Sequence, residues 1–194
     1  MKILYRLQRI LVTVSSTIYV RLLMRIKGVN YGKGFYCCGR IFIDNKSESG
    51  GIKIGDHVNI NSSGTRNPGV VEGRTMLITT STGHIKIGNK VGISNCILYS
   101  ECGITIGNEV TIGAGTKIID TDGCIPFYVR KKKYQRSSPI IIGNRVFIGG
   151  NVILLKGVTI GDEAVIGSGA VITHDIGEKE IWAGNPARCI KELH

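Results

Sequence analysis

From Ile140 onward the chain divides into blocks of six residues, IIIGNR, VFIGGN, VILLKG, VTIGDE, AVIGSG and AVITHD, with no slip of register. The first positions (Ile140, Val146, Val152, Val158, Ala164, Ala170) and the third (Ile142, Ile148, Leu154, Ile160, Ile166, Ile172) are apolar throughout. Alternation inside each block marks a strand with one buried face. Gly143, Gly149, Gly161 and Gly167 follow the third position, where a residue free to take positive φ lets the chain turn a corner. Three corners close a triangular coil of about eighteen residues, and stacked coils pair as parallel strands roughly 4.8 Å apart. The same phrase recurs at Ile54 and Ile60, at Ile87 and Ile93, and at Ile106, Ile112 and Ile118, with single-residue slips near Cys102. The pattern predicts an all-β parallel helix of four to five coils.

Two stretches depart from this period. Ile3, Leu7, Ile10, Leu11, Val14, Ile18 and Leu22 recur at helical spacing, with Arg6, Arg9, Arg21 and Arg25 mostly off the stripe, which predicts an amphipathic helix within residues 1–30. The segment lacks a small-residue cleavage site and is too short in apolar length to span a bilayer. Between Ile118 and Ile140 the register breaks at IDTDGCIPFYVRKKKYQRSSP, so a loop over 121–139 leaves the prism. The organisation predicted is a helical segment, 1–30, ahead of a β-helix domain, 31–191.

Composition sharpens this picture. With 27 Gly, 4 Pro and few aromatics, the chain suits short strands broken by tight turns. The formal charge of +11 is concentrated: residues 1–40 hold eight Lys or Arg and no acid, and Arg130 to Arg136 hold five more. Two local clusters without a reading motif argue against nucleic acid and fit an amphipathic segment and a loop. Cys37, Cys38, Cys96, Cys102, Cys124 and Cys189 show no zinc spacing and no secreted framework, so a reducing cytoplasm and apolar packing are expected.

The DTD segment with its protruding loop, then PIIIGNRVFIGGNVILLKGVTIG and a closing AGNPARCI, resembles the hexapeptide-repeat acyltransferase family over roughly residues 50–191. It is most similar to maltose and galactoside O-acetyltransferases and the acetyltransferases of polysaccharide biosynthesis. The resemblance implies a left-handed coil, a homotrimer whose adjacent prisms enclose the site, and acetyl-CoA as co-substrate for a sugar or glycan hydroxyl, or an amine. It also implies a histidine base in the loop, where this chain has Cys124. Three readings stay open: Asp120 or Asp122 as base, a Cys124 thiolate that carries the acyl group, or a ligand-binding scaffold whose chemistry is lost. None of the histidines replaces the base by position: His57 and His84 flank corners, His174 lies in the last repeats and His194 is terminal.

By the same resemblance, Gly150, Ser168, Thr173, His174, Arg188 and Lys191 fall where the family contacts CoA, with Lys156 a further cation for its phosphates. Glu101 corresponds to a carboxylate opposite the base, and Asn95 to an acceptor contact. Arg74, with Arg66 and Asn67, lies in a second break of register and offers an anion ligand to a sugar diphosphate. A metal site would need three converging histidines, and His57, His84 and His174 are too scattered, so no metal is expected. The basic helix also suggests peripheral association of residues 1–27 with a membrane surface.

Overall fold

The computed structural model describes residues 2–48, 50–63, 73–123 and 136–193, with side chains of the N-terminal helix described from Ile10. Cys124, Arg66 and Asn67 lie outside the described residues, as does most of the loop expected over 121–139. Helix α1 (Lys2–Ile26) precedes six coils of three strands each. Coil 1 is β1 (Asn30–Tyr31), β2 (Tyr36–Gly39) and β3 (Phe42–Asn45); coil 2 is β4 (Ile52–Ile54), β5 (Asn59–Ser62) and β6 (Met76–Thr79). Coil 3 is β7 (Ile85–Ile87), β8 (Gly92–Ser94) and β9 (Ile97–Ser100); coil 4 is β10 (Ile104–Ile106), β11 (Thr111–Ile112) and β12 (Lys117–Ile119). Coil 5 is β13 (Ile140–Ile142), β14 (Phe147–Ile148) and β15 (Ile153–Leu154); coil 6 is β16 (Thr159–Ile160), β17 (Val165–Ile166) and β18 (Val171–Ile172). A hairpin of β19 (Glu180–Gly184) and β20 (Ala187–Glu192) closes the chain.

Each strand pairs in parallel with its counterparts in the neighbouring coils, making three sheets. One inward ladder is Ile60, Ile93, Ile112, Ile148 and Ile166, and another is Leu77, Leu98, Ile118, Leu154 and Ile172. All are buried, as are the predicted first-position residues from Ile140 to Ala170. The count of coils is six rather than four to five. Coil 1 escaped the pattern because Cys37 stands where later coils carry isoleucine in the second sheet.

The corner between the first and second sheets corrects the reading of the glycines. At this corner positive φ belongs to the residue two after the glycine: His57, Lys90, Glu109, Arg145, Glu163 and Lys179 all lie between 55° and 62°. The glycine serves close stacking instead. A Cβ on Gly107 would sit 2.5 Å from the carbonyl oxygen of Gly143, and one on Gly88 would sit 2.5 Å from that of Gly107. Between glycine and turn residue, an Asn or Asp side chain takes the backbone N–H one coil below: Asn89 Oδ1 from Asp56, Asn108 Oδ1 from Asn89, Asn144 Oδ1 from Asn108, and Asp162 Oδ1 from Asn144. These bonds satisfy corner amides that no strand can reach.

The slips near Cys102 also have a cause. Ile93 and Leu98 are five residues apart, whereas their partners Ile112 and Ile118 are six. Asn95, at φ 42°, turns that corner with one residue fewer. The chain then spends extra residues at 100–103, folded around a carboxylate from coil 4.

Candidate active site

That carboxylate is Asp120, which is 0 % exposed. Its oxygens accept from the Ser100 hydroxyl (2.8 Å) and from the backbone N–H groups of Glu101 (2.7 Å), Cys102 (2.9 Å) and Gly103 (2.6 Å). Fully buried and held by backbone N–H groups, the Asp120 carboxylate has no exposed oxygen to offer a substrate. The structure therefore corrects Asp120 as a candidate base: it staples coil 4 to the widened corner of coil 3. Burial and the Asp120 charge together raise the Cys102 thiol above its ordinary value, desolvation being the larger cause.

The chain leaving Asp120 enters the segment expected as a loop, and the described ends of that segment are joined at a neck by a short antiparallel contact. Thr121 bridges Ser137, Ser138 N–H donates to Asp120 O (2.9 Å), and Asp122 N–H donates to Arg136 O (3.1 Å). Glu101, with its side chain 14 % exposed, projects to this neck. Its carboxylate accepts from Arg136 Nη2 (2.7 Å), Thr121 Oγ1 (2.9 Å) and the Tyr99 hydroxyl (3.4 Å). Burial first, then the Glu101 charge, raises the Tyr99 phenol. Asp122, more open to solvent, pairs with Lys156 Nζ at 2.7 Å. The His84 imidazole occupies the space where a Cβ on Gly103 would be, 2.6 Å from Cε1, so this histidine joins the corner of its own chain.

Arg136, Thr121 and Tyr99 were absent from the residues singled out by sequence. The one available signal was the basic run ending at Arg136. Lys156, read as a phosphate contact, lies against Asp122 instead.

The other candidates occupy different edges. Asn95 is 5 % exposed at the corner of the second and third sheets, and neither its amide oxygen nor its amide nitrogen has a partner. Arg74 lies near the same edge, its guanidinium 5.2 Å over the ring of Phe42. Above Asn95 this edge is built from Gly113, Ala114 and Gly115, then Gly149 and Gly150, then Gly167, Ser168 and Gly169. Gly150 N–H donates to Ser168 Oγ at 3.1 Å, and a Cβ on Gly150 would come within 3.1 Å of Ala114 O. Such a lane of small residues admits an extended chain close to backbone. Thr173 and His174 stand at the far end of the third sheet, joined by a 2.8 Å hydrogen bond. Arg188 and Lys191 are exposed on β20. Asn95 and Glu101 flank β9, so up to about 20 Å of strand separates them. The carboxylates and the small-residue lane thus lie on separate edges of the prism, and Arg188, paired with Ala183 beside Gly167, stands at the end of the lane.

A family model described as the hexapeptide repeat of succinyl-transferase matches residues 85–119 and 139–174. Galactoside O-acetyltransferase of Escherichia coli is 38% identical over 100 residues, 52% of this chain and 49% of that protein. The chain therefore spans about half the length of this curated relative. A solved galactoside acetyltransferase in complex with coenzyme A superposes with a TM-score of 0.53 at 32% identity, covering 71% of this chain and 64% of that one. An N-acyltransferase from Bacillus cereus, bound to dTDP-4-amino-4,6-dideoxyglucose and coenzyme A, gives a TM-score of 0.69 over 90% of this chain and 89% of that one, and at 22% identity it shows the fold alone. The shared architecture is the left-handed parallel β-helix.

Proposed function

We propose that this chain, a hexapeptide-repeat protein, transfers an acetyl group from acetyl-CoA to a hydroxyl, or an amine, of a sugar or glycan acceptor. The single observation that carries the reading is the closed loop neck beside a partly exposed carboxylate, in a chain 38% identical to a galactoside O-acetyltransferase over its repeats. CoA lies along the small-residue lane, its arm against Gly150 and Ser168, and its phosphates meet Arg188 and Lys191, with Thr173 and His174 flanking its path. It supplies a thioester carbonyl, the electrophile. The acceptor oxygen attacks that carbonyl, its proton passes to a base, and the C–S bond breaks to expel CoA thiolate, which takes the proton back from the base.

Asp122 is the base in this reading. It stands at the neck with its carboxylate partly open, while Asp120 is fully buried and Glu101 is held by three donors. Glu101 orients the neck through Arg136 and Thr121, and Asn95 and Arg74 contact the acceptor. Because the groups lie on separate edges of one prism, the site is completed between neighbouring prisms of a homotrimer. Residues 1–27 place the enzyme peripherally on the cytoplasmic face of a membrane.

Acetyl-CoA turnover against a panel of sugars and amines tests this. Asp122→Asn is expected to lower kcat about a hundredfold or more. Unchanged turnover in that variant, with a gain in Cys124→His, would identify a binding scaffold whose chemistry has decayed.

A further inference from the structure

Helix α1 is mounted with its apolar stripe facing outward. Eight of the fourteen exposed large hydrophobic residues among those described lie on it. Leu11, Val14, Ile18 and Leu22 recur at helical spacing and are 51% to 69% exposed. The opposite side is fastened to coil 1, where Val20 and Met24 are fully buried. Thr17 Oγ1 accepts from Cys37 N–H (3.0 Å), Ser16 Oγ accepts from Gly39 N–H (3.2 Å), and Arg21 Nη2 donates to Phe35 O (2.6 Å). These bonds set the helix's rotation about its own axis. A helix serving only as a cover for the prism would turn its most apolar stripe inward; this one buries Val20 and Met24 beside half-buried Ser16 and Thr17 and leaves Leu11, Val14, Ile18 and Leu22 outside.

Beside the stripe runs an open groove of about 320 Å³ lined by Ile18, Arg21, Leu22, Arg25 and Tyr31. Its walls are apolar and its rim carries two guanidinium groups, in a stretch of forty residues without a single acid. We infer that this face docks on a bilayer surface rich in anionic phospholipid: Leu11, Val14, Ile18 and Leu22 enter the acyl boundary, and Arg25, with the free N–H groups of Arg21, meets headgroup phosphates in the groove. The inference rests on the peripheral membrane reading of residues 1–27 and names its face and lipid class. A second copy of the chain fits the face poorly. Pairing two stripes brings Arg21 and Arg25 of both copies together with no acid within residues 1–40 to neutralise them. A helix of this composition lies in the plane of the interface, with long cationic side chains reaching to the phosphates. No described helix is long and apolar enough to cross a membrane.

The test is co-sedimentation of the full chain with phosphatidylcholine vesicles, with and without phosphatidylglycerol, at low and high salt. Binding to the phosphatidylglycerol vesicles, weakened by salt, is expected. The double variant Ile18→Glu, Leu22→Glu should lose about tenfold or more of it, and Arg25→Glu should abolish the preference for anionic lipid, both at unchanged circular dichroism. Binding that ignores lipid charge, binding unaffected by these variants, or no binding with a double variant that breaks the oligomer would each overturn the proposal, the last in favour of a second copy. Turnover on a soluble acceptor, read in parallel, separates the two readings: no turnover by the native chain while vesicle binding persists counts against the enzyme alone.

Discussion

Asp120 and Asp122 are two residues apart in one DTD motif, yet they do opposite work. Asp120 is turned into coil 3 and collects three backbone N–H groups and a hydroxyl; Asp122 faces the loop neck and Lys156. Removing the Asp120 carboxylate strands buried donors at about 1–3 kcal/mol each. Asp120→Ala is therefore expected to cost at least about 3 kcal/mol in chemical denaturation, whereas Asp122→Asn, at a more open position, changes stability little. If Asp120→Ala kept native stability and lost only activity, the stapling role would be wrong. Both carboxylates were visible in the sequence as candidates for proton transfer. Their difference was not, because it depends on three amides and a hydroxyl contributed from 17 to 20 residues upstream, across a coil boundary, and no local pattern marks Ser100 to Gly103 as their source. Arg136 was hidden for a similar reason: in the sequence it is the last charge of a basic run, and in space it is the partner of Glu101.

At the scale of elements, the corner of the first and second sheets is a column of carboxamides and carboxylates, each capping the coil below. Asn144 is its most connected link. Its Oδ1 accepts from both the backbone and the side chain of Asn108, and its Nδ2 reaches the Asp162 carboxylate. Asn144→Ala should cost about 1–2 kcal/mol, and Gly107→Ala, which forces a Cβ against Gly143 O, about 1–3 kcal/mol, both read from denaturation midpoints. The column also carries a pH dependence. Hydrogen bonds from the backbone and side chain of Asn144 hold Asp162 below the usual carboxylate value. A group whose folded value is depressed adds stability above its unfolded value and loses it as pH falls through the folded one. Between pH 7 and pH 3 the native chain should thus lose more stability than Asp162→Asn, and equal losses would show that the corner does not titrate. The hexad period made the inward ladders legible from sequence, since every third-position isoleucine in the unbroken blocks is buried. It misassigned the glycines, because a glycine required for stacking and one required for positive φ look alike in a one-dimensional pattern.

In the whole molecule, a stacked coil protects its neighbours and leaves its two ends exposed, so the termini decide where unfolding starts. The C-terminal hairpin covers the second sheet alone, through β19 on β17. At the other end α1 lies over β2, and Cys38, which alternates away from the prism beside inward Cys37, is only 2 % exposed because of it. The presence of a helix was readable from its spacing; which side it would turn to the prism was not, because the fastening runs through Ser16, Thr17 and Arg21 to backbone groups of coil 1. This fastening, with Val20 and Met24 buried beneath the helix, has a consequence for stability. Coil 1 pairs with coil 2 on one side only and depends on α1 for the rest of its cover. Deleting residues 1–27 should therefore raise amide exchange across residues 30–45 by about tenfold or more, while coils 3 to 5, paired on both sides, keep their protection. Hydrogen exchange followed by mass spectrometry resolves these segments. A uniform rise through all six coils would mean that the prism opens as one cooperative unit, and that α1 stabilises the whole stack and not its first turn.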